Sequence, residues 1–310
     1  MSQILHKYQN GNTTVTLFED GSLEREYSSQ ELLTVDFPSS LDVKITNYCE
    51  PTSDNPICAF CHEKSNLKGK HADLERLELE LSVLPAGVEI AIGGGNPLAH
   101  PKLISFLQNV RKQGLIPNIT INQKHVKNYQ SLIEKLITDN LVFGIGISYS
   151  DSKYLNDIQP IISLTDHLVF HVIMGINHVD DIDQLYQLCQ QNNKECKVLI
   201  LGYKKYGNGL NYYLKNKEVE ANKYEWYTQL VKYFKYNNII LSFDNLALQQ
   251  LNAKRYFTSE AWNTFYMGSD GTFTMYLDAV EQNFAVSSTS SERKNFSETN
   301  LLQFFKDIKN

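Results

Sequence analysis

The stretch NYCEPTSDNPICAFCHE, residues 47–63, holds Cys49, Cys58 and Cys61, three of the five cysteines in a 310-residue chain. Disulfide pairing of three thiols leaves one over. Three thiolates also fall one short of a closed tetrahedral metal site. A zinc ion would need a fourth ligand, for which His62 and His71 stand nearby. Only Cys58 and Cys61 have the close spacing of a zinc pair, and Cys49 lies across an eight-residue gap. A cubane iron–sulfur cluster takes three thiolates and leaves one iron open to a ligand. Buried small hydrophobes are the remaining explanation. The polar company of Glu50, Ser53, Asp54 and Glu63 argues against it. Cys189 falls in an apolar helical pattern and Cys196 begins a strand, so both read as core thiols.

The elements that position these cysteines alternate in type. The segment TTVTLFEDGSLEREY alternates apolar and polar residues around Asp20-Gly21 and predicts a β-hairpin within residues 1–38, closed off by Pro38. Then LDVKITN predicts a strand ending at the cysteine loop, DLERLELELSVL an amphipathic helix and VEIAIGG a second strand. PKLISFLQNVRKQG predicts a helix with Pro before it and Gly past its end. Further strands fall at IPNITIN, LVFGIGISYS, HLVFHVIMG, CKVLILGY, NIILSFDN and GTFTMYLDA, with helices between, one of them over about 221–236. Repeated strand–helix units give an α/β fold with parallel strands, either a (β/α) barrel or an open doubly wound sheet. The strands read as nearly continuous apolar runs, as when both faces are covered. In either fold the strands' C-terminal ends carry the chemistry, and the cysteine loop follows the first of them.

The second strand ends IGGGNPLAHP. With the cysteine loop after the preceding strand, this resembles the radical S-adenosylmethionine (SAM) superfamily. The resemblance rests on Cys49, Cys58 and Cys61, on Phe60 as the aromatic before the last cysteine, and on Gly94, Gly95, Asn96 and Pro97 in the glycine motif. Two features depart from the family pattern. Eight residues instead of three separate the first two cysteines, and Asn96 stands at the usual acidic position. An asparagine can still accept a hydrogen bond through its amide oxygen. The resemblance covers about residues 41–203. It implies a partial (β/α)6 TIM-type barrel, with a core over 39–245 and a C-terminal extension over 246–310 packed on it. It further implies that the three cysteines hold a [4Fe-4S] cluster. SAM would be bound by Phe60, Gly94, Gly95, Asn96 and Pro97, by Asn122, which ends the third strand ahead of Gln123, Lys124 and His125, and by Ser148, Ile173, Gly175 and Leu201 on later strands, the last beside Gly202 and Tyr203.

The chemistry so implied is reductive cleavage of SAM to a 5′-deoxyadenosyl radical that abstracts hydrogen from a substrate. The electron would come from a protein donor such as flavodoxin or ferredoxin. GTFTMYLDA, with the residues before it, is similar to the β-hairpin of radical SAM peptide maturases but lacks that extension's cysteines, so no auxiliary cluster is expected. For the substrate, the Lys- and aromatic-rich stretch over 203–236 admits a nucleoside or tRNA by stacking and phosphate contact, or a solvated lysine face over a core stripe. A peptide is the other candidate class. Asp244, Tyr276 and Asp278 at strand ends are possible pocket residues. The competing readings are a zinc-stabilised (β/α) binding module and an inactive barrel kept as a scaffold. The net charge of −6 disfavours nonspecific nucleic-acid binding by the whole surface. No apolar stretch approaches the ~20 residues of a membrane helix, and the first residues lack a signal-peptide pattern, so a cytoplasmic protein with no membrane partner is expected.

Overall fold

A computed structural model describes residues 2–27, 32–52 and 56–309. Ser53 and Asp54 of the cysteine loop lie outside them. Strands β1 (Ile4–Asn10), β2 (Thr13–Phe18) and β3 (Leu23–Glu26) form a small antiparallel sheet in that order. The expected hairpin is the β2–β3 pair, with Gly21 at φ +86° in its turn. β1 adds a third strand to it.

From Ser40 strands and helices alternate. They are β4 (Ser40–Thr46), α1 (Leu74–Leu81), β5 (Glu89–Gly94), α2 (Leu103–Lys112), β6 (Ile116–Asn122), α3 (Gln123–Val126), α4 (Gln130–Thr138), β7 (Gly144–Ser148), α5 (Leu155–Ile162), β8 (Leu168–Ile173), α6 (Asp181–Gln191) and β9 (Cys196–Leu201). Then come α7 (Asn208–Lys215), α8 (Glu218–Gln229), β10 (Ile239–Phe243), α9 (Asn245–Leu251), α10 (Ser259–Phe265), β11 (Thr274–Asp278), β12 (Asn283–Ala285), β13 (Lys294–Asn295) and α11 (Leu301–Asp307). The helix expected over 221–236 is α8 followed by a 3-10 stretch, Leu230–Lys235.

One sheet takes ten strands in the order β10-β9-β8-β7-β6-β5-β4-β11-β12-β13. It is parallel from β10 through β11, and β12 and β13 run antiparallel. The helices supply apolar stripes: α1 buries Leu74, Leu77 and Leu81, and α2 buries Leu103, Phe106, Leu107 and Val110. Both join one core with Val43, Ile45, Ile92, Ile119, Ile147, Phe170 and Ile200 from one face of the sheet.

The other face corrects the expectation of continuous apolar strands. Asp42, Lys44, Gly93, Asn118, Thr120, Asn122, Ser148 and His171 occupy the alternate positions, so the strands follow a two-residue alternation with a polar side. The sheet curls around that polar face. Lys204, just past β9, reaches Ser288 beyond β12 at 2.8 Å, although six strands lie between β9 and β12 in the sheet order. Its terminal strands β10 and β13 do not pair with each other, so the sheet is open. No helix among the described residues is long and apolar enough to cross a membrane.

Candidate metal centre and its rim

The chain leaves β4 at Thr46 and returns to α1 through residues 65–73. The two arms of the loop hold each other: Asn47 N–H bonds Lys70 O at 2.8 Å, Asn66 N–H bonds Asn47 O at 3.0 Å, and Cys49 N–H bonds Asn66 O at 3.1 Å. Cys61 N–H bonds Cys58 O at 3.1 Å, which makes the two-residue spacing a tight turn.

The glycine run at the end of β5 supports this loop from below. Gly95 N–H donates to Thr46 O and Asn96 N–H to Tyr48 O, both at 2.7 Å. A side chain on Gly94 would strike Thr46 O, and one on Gly95 would strike Tyr48 O. These two glycines are therefore required by the close approach of the cysteine loop's own backbone. Gly93 differs: a Cβ there meets nothing within 4 Å, and its position faces the polar side of the sheet.

Asn96 is fully buried and its amide is engaged at both ends. Its Oδ1 accepts from Leu98 N–H at 3.2 Å, capping the short turn that Pro97 begins, and its Nδ2 donates to Glu50 Oε1 at 2.7 Å. Tyr129 OH donates to the same Glu50 oxygen at 2.8 Å, while Glu50 Oε2 is buried without a partner. Burial first, and then the Glu50 carboxylate, hold the Tyr129 phenol in its protonated, donating form.

Beside Glu50 lies the turn that joins β6 to α3. Asn122 caps α3 through Oδ1 and turns Nδ2 to Cys58 Sγ at 3.9 Å. Lys124 Nζ stands 3.6 Å from the same sulfur, and His125 Nε2 3.6 Å from Cys49 Sγ. Burial pushes the Cys49 thiol up to about 11; the Lys124 ammonium opposes this, while Cys58, Glu50 and Cys61 add to it. The Cys49 thiol thus lies within reach of charge on the other two. Burial pulls His125 down to about 4, so its imidazole is neutral.

The far side of the loop is closed by the segment after β9. Asn208 N–H bonds Cys61 O at 3.1 Å, Gly207 packs on His62 O, and Phe60 meets Tyr212 edge-on at 5.8 Å. A charge network then ties the loop to β11. Lys44 Nζ pairs with Glu63 at 2.8 Å and Asp278 at 2.9 Å, Tyr276 OH donates to Glu63 at 3.0 Å, and His62 Nε2 lies 3.3 Å from Glu63.

This donor set fits a group held by thiolates. An amide N–H and a buried ammonium face Cys58, as an anionic sulfur requires, and an imidazole nitrogen faces Cys49. A single zinc ion fits less well. Both proposed fourth ligands are engaged elsewhere, His62 by Glu63 and Lys204, and His71 by Thr46 Oγ1 at 2.9 Å.

No protein-family model matches the sequence, and no curated protein sequence matches it. Solved structures do. SuiB of Streptococcus suis bound to precursor peptide SuiA superposes with a TM-score of 0.63 at 12% identity, over 98% of this chain and 88% of that one. The chain shares the fold of SuiB. SuiB bound to S-adenosylmethionine gives a TM-score of 0.54 at 15% identity, over 87% of this chain and 64% of that one. A further SuiB crystal structure gives 0.55 at 15%, over 87% and 66%. In these two the match spans just under two thirds of SuiB's length. At these identities the likeness is one of fold, an α/β chain built on a large, mostly parallel sheet, as the sequence led one to expect.

The SuiB-like fold brings only part of the expected SAM set to the cysteine loop. Phe60, Gly94, Gly95, Asn96, Pro97 and Asn122 gather there. Ser148, Ile173 and Leu201 end β7, β8 and β9, half-buried on the polar side of the sheet; among the described residues no hydrogen bond joins them to the loop. Gly175, at φ +91°, faces α8, where a side chain would strike Val219. Cys189 and Cys196 are buried in the core, as expected. Sequence reasoning did not single out Lys44 and Glu50, which tie the cysteine loop to its neighbours, or His171 on the polar face of the sheet. The signal for Lys44 and His171 was a charged or titratable residue within an apolar strand, in LDVKIT and VFHVI.

Proposed function

We propose that this chain is a radical SAM enzyme that modifies a peptide. Cys49, Cys58 and Cys61 would hold a [4Fe-4S] cluster, and the polar inner face beside them would take SAM and substrate. In this reading the curled sheet is a partial (β/α)6 barrel over 39–245, with the N-terminal sheet (1–38) and the C-terminal residues (246–310) added to it.

The observation that carries the reading is the cysteine loop at the C-terminal end of β4, with Asn122, Lys124 and His125 turned toward its sulfurs, in a chain that shares the fold of SuiB. When bound, the cluster and SAM supply one-electron cleavage chemistry that leads to hydrogen abstraction from substrate. The chain's own residues shape the place for it. Gly93 leaves open space on the inner face, and the residues around Asn208 cover the outer side of the loop against water. Ser148, Ile173 and Leu201 stand on the same rim as candidates to contact SAM.

A peptide is favoured over a nucleic acid by two observations. The SuiB structure that holds a precursor peptide covers nearly all of this chain. Three of the seven lysines of the 203–236 stretch are answered by carboxylates: Lys205 and Lys223 pair with Glu220, and Lys232 with Asp180 and Asp183. An electron donor such as flavodoxin or ferredoxin would complete the system.

The test is anaerobic iron–sulfur reconstitution, followed by low-temperature EPR with and without SAM and an assay for 5′-deoxyadenosine after reduction. The expected result is one cluster whose spectrum shifts with SAM, with 5′-deoxyadenosine formed. A colourless protein that retains zinc would overturn the reading.

A further inference from the structure

One turn of chain sets two donors and an imidazole nitrogen against two cysteine sulfurs. Asn122 Nδ2 and Lys124 Nζ approach Cys58 Sγ at 3.9 and 3.6 Å, and His125 Nε2 approaches Cys49 Sγ at 3.6 Å. The arrangement is costly for the chain by itself. Lys124 is 3% exposed and His125 0%. Among the described residues Lys124 has no carboxylate partner; its other contact is Pro56 O at 3.4 Å. His125 Nδ1 is buried 3.7 Å from Glu50 Oε1, beyond hydrogen-bond reach. A buried ammonium with no counter-charge opposes folding unless something anionic stands against it. Among the described residues the nearest anion-forming atom is the Cys58 sulfur.

We propose that the Asn122–His125 turn is the outer hydrogen-bonding shell of the cluster, biasing it toward its reduced state. This rests on the cluster reading above. Reduction adds an electron to a group already carrying thiolate charge. Positive charge and N–H dipoles on the sulfurs stabilise that more negative state and so raise the reduction potential. Asn122, Lys124 and His125 are positioning residues, acting through Cys58 and Cys49.

The test compares reconstituted wild type with Lys124→Met, His125→Phe and Asn122→Asp, reading iron and sulfide content and the reduced-to-oxidised ratio in an EPR-monitored redox titration. At the wild-type midpoint the ratio should fall about tenfold in each variant, which for a one-electron couple is about 59 mV. Asn122→Asp keeps the helix cap, since aspartate also caps, and turns a donor to Cys58 into an anion. It therefore keeps the test open if His125→Phe fails to fold. Lys124→Met has a second readout that a merely structural lysine would not give: the metal-free variant should melt higher than metal-free wild type while its loaded form is harder to reduce. Loaded variants whose ratio stays within twofold of wild type would overturn the proposal. If wild type itself takes up no cluster, the enzyme reading fails first, and the two failures are told apart.

Discussion

Gly93 and Gly95 stand two residues apart, and a methyl group added at each meets opposite surroundings. At Gly95 it enters the carbonyl of Tyr48, and backbone cannot swing aside as a side-chain tip can. Gly95→Ala should therefore cost about 1–3 kcal/mol in urea unfolding, the usual range for forced overpacking. Gly93→Ala should unfold with wild type to within about 0.5 kcal/mol, because its methyl points into open space. Equal losses at the two positions would mean that the cysteine loop does not rest on the glycine run as described. His171 makes a second residue-scale case. Its ring lies against Gly146 on the polar face, and burial pulls it down to about 4. An unfolded histidine titrates near 6.5, so the unfolded chain binds the extra proton first as pH falls. The stability His171 contributes is full above about 6.5, declines toward about 4 and levels off below. Water reaches this half-buried ring, so the difference between wild type and His171→Asn should change by only about 1–2 kcal/mol across that window. Other buried histidines titrate in the same direction, so the informative quantity is that difference, followed by urea unfolding at stepped pH. A difference that stays flat would place His171 in full contact with water.

At the scale of elements, the cysteine loop is fixed less by its own residues than by β4, β5, the turn after β6, the segment before α7, and β11. Lys44 carries the last of these attachments. It is 6% exposed and holds Glu63 of the loop and Asp278 of β11 together. Lys44→Met leaves two carboxylates facing each other without their cation, for which about 3–5 kcal/mol is expected. Urea unfolding measures this, and a loss under about 1 kcal/mol would show that His62, Tyr276 and Arg293 hold the carboxylates unaided. How far these elements were legible in the sequence depends on what each is made of. Strands β4 to β9 and their helices were readable because apolar periodicity reports directly which side is buried. The open side of the sheet was not, since Asp42, Lys44 and His171 interrupt apolar runs singly, and nothing local tells that their side chains share one concave face. Cysteine spacing marked the loop. The reason for Gly94 and Gly95 was hidden, because it lies in a backbone two elements away, and Glu50 was passed over because its partners Asn96 and Tyr129 come from distant segments. α7 and α11 are short, and β12 and β13 shorter still, leaving little periodicity to read.

For the whole molecule, the two ends of the chain relate differently to the sheet that bears the site. β1, β2 and β3 form their own sheet and, among the described residues, pair with no strand of the larger one. The C-terminal residues instead extend the larger sheet: β11 pairs with β4 in parallel register from Thr274–Ser40 to Asp278–Lys44. Behind it Met275, Leu277, Phe284, Leu301 and Phe305 are buried in the common core, with Phe296 and Phe304 nearly so. At about 1.5–3 kcal/mol for each large apolar side chain, this burial amounts to roughly 10–20 kcal/mol, as much as the net stability of an ordinary domain. Removing it also strips β4 of a neighbour and Lys44 of one counter-charge, and exposes a parallel edge beside the cysteine loop. A chain ended after Asn245 should therefore lose its cooperative melt and aggregate. A chain begun at Phe37 should keep a cooperative melt at a lower temperature. Thermal unfolding followed by circular dichroism on both truncations tests the contrast. A cooperative melt in the chain ended at Asn245 would mean that residues 246–310 are an appendage and that the strands up to β10 hold the cysteine loop without them.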